Sequence, residues 1–189
     1  MVPHITTFTH RKVNPLDVQA SDICIEDIAH HLSCINRFNG ALQIPVNVAQ
    51  HSVYVSKLSG PGHQLEGLLH DAAEAYVGDV TKWLKQSDAM AEFRAAELRA
   101  HIAVCQCFGI PMYGEGLHAS VEAADKLMVR FEAMRSGIRI PHPDYGYPQM
   151  GEIQRIGAWV PWNWRNSERA FLKRFRELNV ALHSGNLKA

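Results

Sequence analysis

Ionisable residues interrupt the apolar faces of amphipathic helices at three places in this chain, and nothing else in the sequence constrains it as much. Apolar side chains recur at helical spacing along most of its length. From Glu26, Ile28, Leu32 and Ile35 share one stripe, and the helix is predicted to end near Arg37, ahead of Asn39-Gly40. Beyond Pro45, Asn47 is placed to cap a helix carrying Val48, Val55 and Leu58, broken by Ser59-Gly60-Pro61-Gly62. A third helix is predicted over 64–77, with Leu65, Leu68, Leu69, Ala72 and Tyr76 apolar and Gly78 at its C-terminal cap. A fourth opens at Ser87 or Asp88 and stops at Gly109 before Pro111. A fifth spans 117–135, with Val121, Ala124, Met128 and Phe131 inward and Gly137 closing it.

Segment 138–166 differs, being rich in proline and glycine and then in tryptophan (Trp159, Trp162, Trp164). Its aromatics predict a packed loop, since disordered segments lack them. The last helix, after Asn166-Ser167, presents Phe171, Phe175, Leu178 and Leu182 on one face. The expectation is all-α: one compact bundle of about six helices, with a core over 25–135, an aromatic loop over 138–166 and a C-terminal helix over 167–184. A length of 189 residues suits one domain, at roughly 100–200 residues each.

Charge narrows the function classes. Nineteen Lys+Arg balance nineteen Asp+Glu, which speaks against a polymeric nucleic-acid partner, because phosphate backbones reward a basic patch. A single nucleotide needs only two or three local cations. Cys24, Cys34, Cys105 and Cys107 form no C-x-x-C pair and read as reduced intracellular thiols. No signal-peptide pattern opens the chain, and no apolar run approaches the roughly 20 residues of a membrane span. A cytoplasmic protein without membrane contact is expected.

His51 lies three residues after Val48 and four before Val55, so it points where they point. His70-Asp71 falls inside the leucine-rich third helix, and Asp125 is four after Val121 and three before Met128. A lone inward histidine is more often a hydrogen-bonded core residue than a ligand, and a lone inward aspartate is more often a cap or an ion-pair partner. Together the weight shifts: a buried unpaired carboxylate costs several kcal/mol, and one divalent metal satisfies two imidazoles and two carboxylates at once.

The run Asn47-Val48-Ala49-Gln50-His51-Ser52, then Leu68-Leu69-His70-Asp71-Ala72-Ala73-Glu74-Ala75, Gly78-Asp79, and Ala124-Asp125 resembles the HD-domain phosphohydrolases over roughly 25–131. Within that superfamily the sequence is most similar to the five-prime deoxynucleotidases and the compact phage-type dATP triphosphohydrolases. Ile35-Asn36-Arg37-Phe38, with Arg37 fourteen residues ahead of His51, is similar to their Ile-Asn-Arg-aromatic element. Phe38 stands where the deoxynucleotidases carry tryptophan, keeping a stacking face without the indole N–H. Their Pro-Thr-Pro is replaced by Val80-Thr81-Lys82-Trp83.

The resemblance implies that His51, His70, Asp71 and Asp125 hold one divalent transition metal, whether Zn, Co, Mn, Fe or Ni. Glu74, one turn beyond His70 and Asp71, is implied as catalytic acid or base, and Asp79 as a sugar-hydroxyl or outer-ligand contact; their plainer readings are a solvent-facing residue and an N-cap. Arg37, Phe38, Lys82 and Lys85 are implied in substrate binding, the lysines otherwise being a solvated surface pair. His101 and His118 match no second metal motif, and one of His30-His31 faces inward, structurally or at the rim of the pocket.

The tryptophans are expected to pack or to form an oligomer contact, and homo-oligomers are expected because relatives assemble. The expected reaction cleaves the bond between the 5′ oxygen and the α-phosphorus of deoxynucleoside triphosphates, dATP-like, or monophosphates. Alternatives are an HD hydrolase of another phosphomonoester or signalling nucleotide, and a non-catalytic nucleotide-binding domain.

Overall fold

The computed structural model describes residues 3–113, 116–137 and 146–185, the last six by their backbone alone. Its helices are α1 (Ile25–Cys34), α2 (Val48–Leu58), α3 (Gln64–Leu69), α4 (Glu74–Val77), α5 (Lys82–Lys85), α6 (Ala91–Phe108), α7 (Ala119–Arg135), α8 (Met150–Ile156) and α9 (Trp164–Gly185). Five of the six predicted helices correspond to α1, α2, α6, α7 and α9, and the sixth to α3 and α4 together.

The all-α expectation needs one correction. Strands β1 (Ile5–Thr6) and β2 (Lys12–Val13) pair antiparallel ahead of α1. Two-residue strands are too short to show an alternating pattern, so periodicity missed them. The hairpin is fastened to α1 by polar contacts: fully buried Asp27 accepts from the Thr9 amide at 2.7 Å and its hydroxyl at 2.9 Å. His31 Nε2 accepts from the Phe8 amide at 3.1 Å.

Helix α1 ends sooner than predicted, because Ile35 turns to extended backbone (φ −88°, ψ 122°) and Asn36 bridges to Asn47. The chain thus doubles back, with the Arg37 amide donating to Val46 O at 2.9 Å. Phe38 and Asn39 then hold φ of 55° and 53°, a left-handed pair that non-glycine residues rarely adopt. Asn47 caps α2 as predicted, its Oδ1 accepting from the Gln50 amide at 2.9 Å.

The continuous helix predicted over 64–77 is interrupted at His70–Ala73. Bonds there tighten to three-residue spacing: Ala72 N to Leu69 O at 3.0 Å, Glu74 N to Asp71 O at 3.0 Å and Tyr76 N to Ala73 O at 2.9 Å. Gly78 closes α4 at φ +84°, donating to Glu74 O at 2.8 Å. The 117–135 helix begins two residues late, since His118 is itself the cap, its Nδ1 accepting from the Ser120 amide.

The 138–166 loop is corrected as well: α8 lies within it, and α9 starts at Trp164 rather than beyond Ser167. Residues 138–145 and the Leu182 side chain fall outside the described residues. Within the rest of the segment Trp159 is buried and Trp162 partly so, whereas Tyr147, Met150, Val160 and Trp164 are exposed. Fully buried Gln50 donates from Nε2 to Val160 O and accepts from the Trp162 amide, both at 2.8 Å. Trp159 sits edge-on to Phe131 at 5.7 Å, and Trp162 lies 5.6 Å from the Tyr54 ring.

The core forms two clusters. One gathers Leu32, Leu68, Val104 and Phe171 from α1, α3, α6 and α9, and the other gathers Val55, Met128, Phe131 and Trp159. Helix α2 contributes to both and packs against α3, α7 and α9. Among the described residues no helix is long and apolar enough to cross a membrane.

Candidate metal centre

Helix α2, the tightened 70–73 turn and α7 bring His51, His70 and Asp125 together, with Asp71 beside the two imidazoles. His51 is fully buried, and its Nε2 stands 3.1 Å from Asp125 Oδ1 and 3.8 Å from Asp71 Oδ2. His70 Nε2 stands 3.1 Å from Asp71 Oδ2 and 3.9 Å from Asp125 Oδ1. Both Nε2 atoms are buried without a hydrogen-bond partner. Both Nδ1 atoms are engaged: His70 Nδ1 donates to Gly67 O at 2.9 Å, and His51 Nδ1 lies 3.1 Å from Glu132 Oε1. Nε2 is therefore the ring nitrogen of each histidine that faces the carboxylates.

Ligands arranged tetrahedrally at about 2.0–2.1 Å from an ion stand about 3.3 Å apart, close to the spacings just given. Ligand atoms of His51, His70 and Asp125 all lie within 4.8 Å of one another, a group able to hold a metal ion. Among the described residues no second such group forms. His118 instead stacks on His63 at 3.5 Å, and His101 lies against Cys105 Sγ at 3.5 Å. His31 is bonded through both ring nitrogens, its Nδ1 2.6 Å from Ala75 O, while His30 stacks on Phe8.

Electrostatics express the crowding. Burial and Arg37 press the His51 imidazole downward, yet Glu132 and Asp125 outweigh them and raise its pKa to about 9. Burial opposes the Asp71 carboxylate, but His70, His51 and Arg37 hold it far below the usual range. Asp125 is likewise lowered, its contact with His51 overcoming burial.

Arg37 is largely buried rather than presented to solvent. Its Nε donates to Glu132 Oε2 at 2.9 Å and its Nη1 to Asp71 Oδ2 at 3.4 Å. Glu132 was missed by sequence reasoning, although it lies seven residues after Asp125 and four after Met128, on the same inward stripe of α7.

A cleft of about 500 Å³ opens beside the ligands, with His70, Asp71, Asp125, Glu74, Lys85 and Arg94 among its walls. Glu74 is buried and its Oε2 has no partner. Burial, then the charges of Asp71 and Asp79, raise its pKa well above the ordinary 4.5. Lys85 pairs with Glu97 at 2.5 Å, which keeps it protonated against burial. Arg94, also unforeseen, donates to the carbonyls of Lys85 and Ser87.

Arg37, Phe38, Asp79 and Lys82 are not among the cleft walls. Phe38 packs against the second core cluster, with the Arg37 guanidinium 5.6 Å from its ring. Lys82 is exposed beside Trp83, and Asp79, half-buried behind Gly78, is raised by burial against the pull of Arg37.

No family model matches this sequence. The chain is 32% identical over 134 residues to the uncharacterized protein YfdR of Escherichia coli, covering 71% of this chain and 72% of YfdR. It is 34% identical over 133 residues to an uncharacterized protein of Rhodobacter capsulatus, covering 65% of this chain and 67% of that protein. With that identity over more than two thirds of YfdR, the chain belongs to the YfdR family.

Proposed function

We propose that this protein is an HD-type, metal-dependent phosphohydrolase acting on nucleotides, in which His51, His70, Asp71 and Asp125 hold one divalent transition metal. The observation that carries the reading is the pair of buried, partnerless Nε2 atoms facing two carboxylates from three separate elements. Two neutral imidazoles and two carboxylates would balance a doubly charged ion, and His70, Asp71 and Asp125 border the cleft.

A divalent ion held there supplies Lewis acidity toward a phosphoryl oxygen and lowers the pKa of water. The chain's own groups account for the rest. Lys85 and Arg94 on the cleft wall, with Arg37 behind Asp71, set positive charge around the anionic end of a nucleotide. Burial and the neighbouring carboxylates favour the protonated form of Glu74, whose carboxyl on the cleft wall would give its proton to the 5′ oxygen as a water oxygen replaces that oxygen on the α-phosphorus. That bond is shared by mono- and triphosphates, so one arrangement serves both.

The test is a panel of mono- and triphosphates of all bases and both sugars, with Mn, Co and Zn, products resolved by chromatography. Nucleoside plus phosphate or triphosphate is expected. Asp71→Ala is expected to lose metal content and turnover together. A purified protein with no stoichiometric ion, or no hydrolysis of any nucleotide, refutes the reading.

A further inference from the structure

One carboxylate stands behind both the metal ligands and the buried arginine. Glu132 is fully enclosed on α7 and reaches two groups far away in sequence. Its Oε1 and Oε2 lie 3.1 and 3.3 Å from His51 Nδ1, and Oε2 also accepts from Arg37 Nε at 2.9 Å. A buried charge pair is weak evidence of stability by itself, since apolar replacements of similar volume often serve as well. The shape of this contact says more. His51 Nδ1 must carry a proton to donate to Glu132, and this directs its lone pair to Nε2, toward Asp125 and His70.

The charge count points the same way. Two neutral imidazoles and two aspartates offset a divalent ion and leave Arg37 as an uncompensated cation next to it. Glu132 offsets that cation through Nε. Asp71 takes one Nη1 proton, so two of the five guanidinium donors are held by protein carboxylates.

We propose that Glu132 is a positioning residue that orients two groups at once: His51, by fixing its Nδ1–H form for coordination through Nε2, and Arg37, by holding its guanidinium through Nε beside Asp71. The proposal rests on the metal reading above, and it makes metal affinity and the disposition of Arg37 depend on one side chain. A carboxylate accepting from the far nitrogen of a ligating histidine raises that ligand's basicity, and its loss typically costs 10–100-fold in metal affinity.

The test compares the wild type, Glu132→Gln and the double variant Arg37→Met with Glu132→Gln. Co(II) affinity is measured by competition with a chelating dye, and melting temperature is measured separately in EDTA. Glu132→Gln is expected to bind Co(II) 10–100-fold more weakly. It is also expected to melt lower in EDTA, because Arg37 loses its counter-charge. The double variant relieves that unpaired cation, so it melts above Glu132→Gln while keeping the same loss of Co(II) affinity. Should Glu132→Gln fail to fold, the double variant decides the metal half.

A merely structural pair would leave Co(II) affinity at the wild-type level in the double variant, and that result overturns the role at His51. No recovery of melting temperature in the double variant overturns the role at Arg37. A wild type that takes up no Co(II) refutes the metal reading and the His51 role with it, whereas the Arg37 tether is still judged by melting in EDTA.

Discussion

Replacing Glu74 by glutamine separates the chemistry of this site from its stability. The side chain is buried, Oε2 has no partner, and Asp71 and Asp79 add negative charge around it. The folded protein therefore holds this proton more tightly than the unfolded chain, where the carboxyl titrates near its ordinary 4.5. For a carboxyl raised on folding, the stabilising contribution is complete below that ordinary value and is lost as pH rises through the folded one.

Between those two values the wild type loses about 1.4 kcal/mol per pH unit relative to an uncharged amide, and the loss then levels off. Urea unfolding of both proteins at pH 5, 6 and 7 in a chelator reads this directly, because other groups cancel in the difference. The chelator matters, since a bound cation favours the carboxylate. The expected result is a gap in favour of Glu74→Gln that widens by about 1.4 kcal/mol per unit over that window. In metal-loaded protein, kcat is expected to fall by about 10²–10⁴ with the metal retained. Parallel stabilities at all three pH values would refute the reasoning, because Glu74 would then ionise like a surface carboxylate.

Two further outcomes follow from the packing. A Cβ at Gly67 would collide with Ser59 Oγ and lie 3.2 Å from Ser56 Cα, so Gly67→Ala is expected to cost about 1–3 kcal/mol in urea unfolding. Because Gly67 O holds His70 Nδ1, metal affinity should weaken too; unchanged stability and affinity would show that α3 can move away from α2 freely. Burial, then Glu66, pushes the Cys105 thiol up to about 11, so alkylation at pH 8 should mark exposed Cys34 and Cys107 and spare Cys105. Equal labelling of Cys105 by mass spectrometry would contradict its burial.

Long elements were legible in the sequence because they repeat their own signal. Asn47, Gly78 and Gly109 marked helix ends through cap chemistry that needs no distant partner, and the stripe around Val121 and Met128 placed Asp125. Helices α5 and α8 were not legible, since four and seven residues hold too little of a 3.6-residue period. The break at His70–Ala73 was hidden for a related reason: leucines at helical spacing continue up to it, and a change from four- to three-residue bonding leaves no mark in composition.

Arg37 and Glu132 show a different limit. Each is a charged residue whose burial makes sense only with partners 34 to 95 positions away, and local pattern cannot supply those partners. The sequence set Arg37 aside for an anionic ligand, whereas the fold already gives part of its guanidinium to protein carboxylates.

Helix α9 has a consequence for how the molecule assembles. It lies along α1 and α2, inserts Phe171 at zero exposure into the first core cluster, and ties Arg174 Nε to Ser56 Oγ at 3.0 Å. Ser56 in turn donates to Gln64 O at 2.8 Å. Helix α9 and the α1–α2 region therefore hold each other, and this core is incomplete until α9 is available. Such long-range closure slows the search for the native state. It also means that peeling α9 away is not a local event: its amides should exchange with solvent at the rate of whole-molecule opening, and His51 of α2 and His70 of the turn after α3 keep their arrangement only while that clasp stays shut.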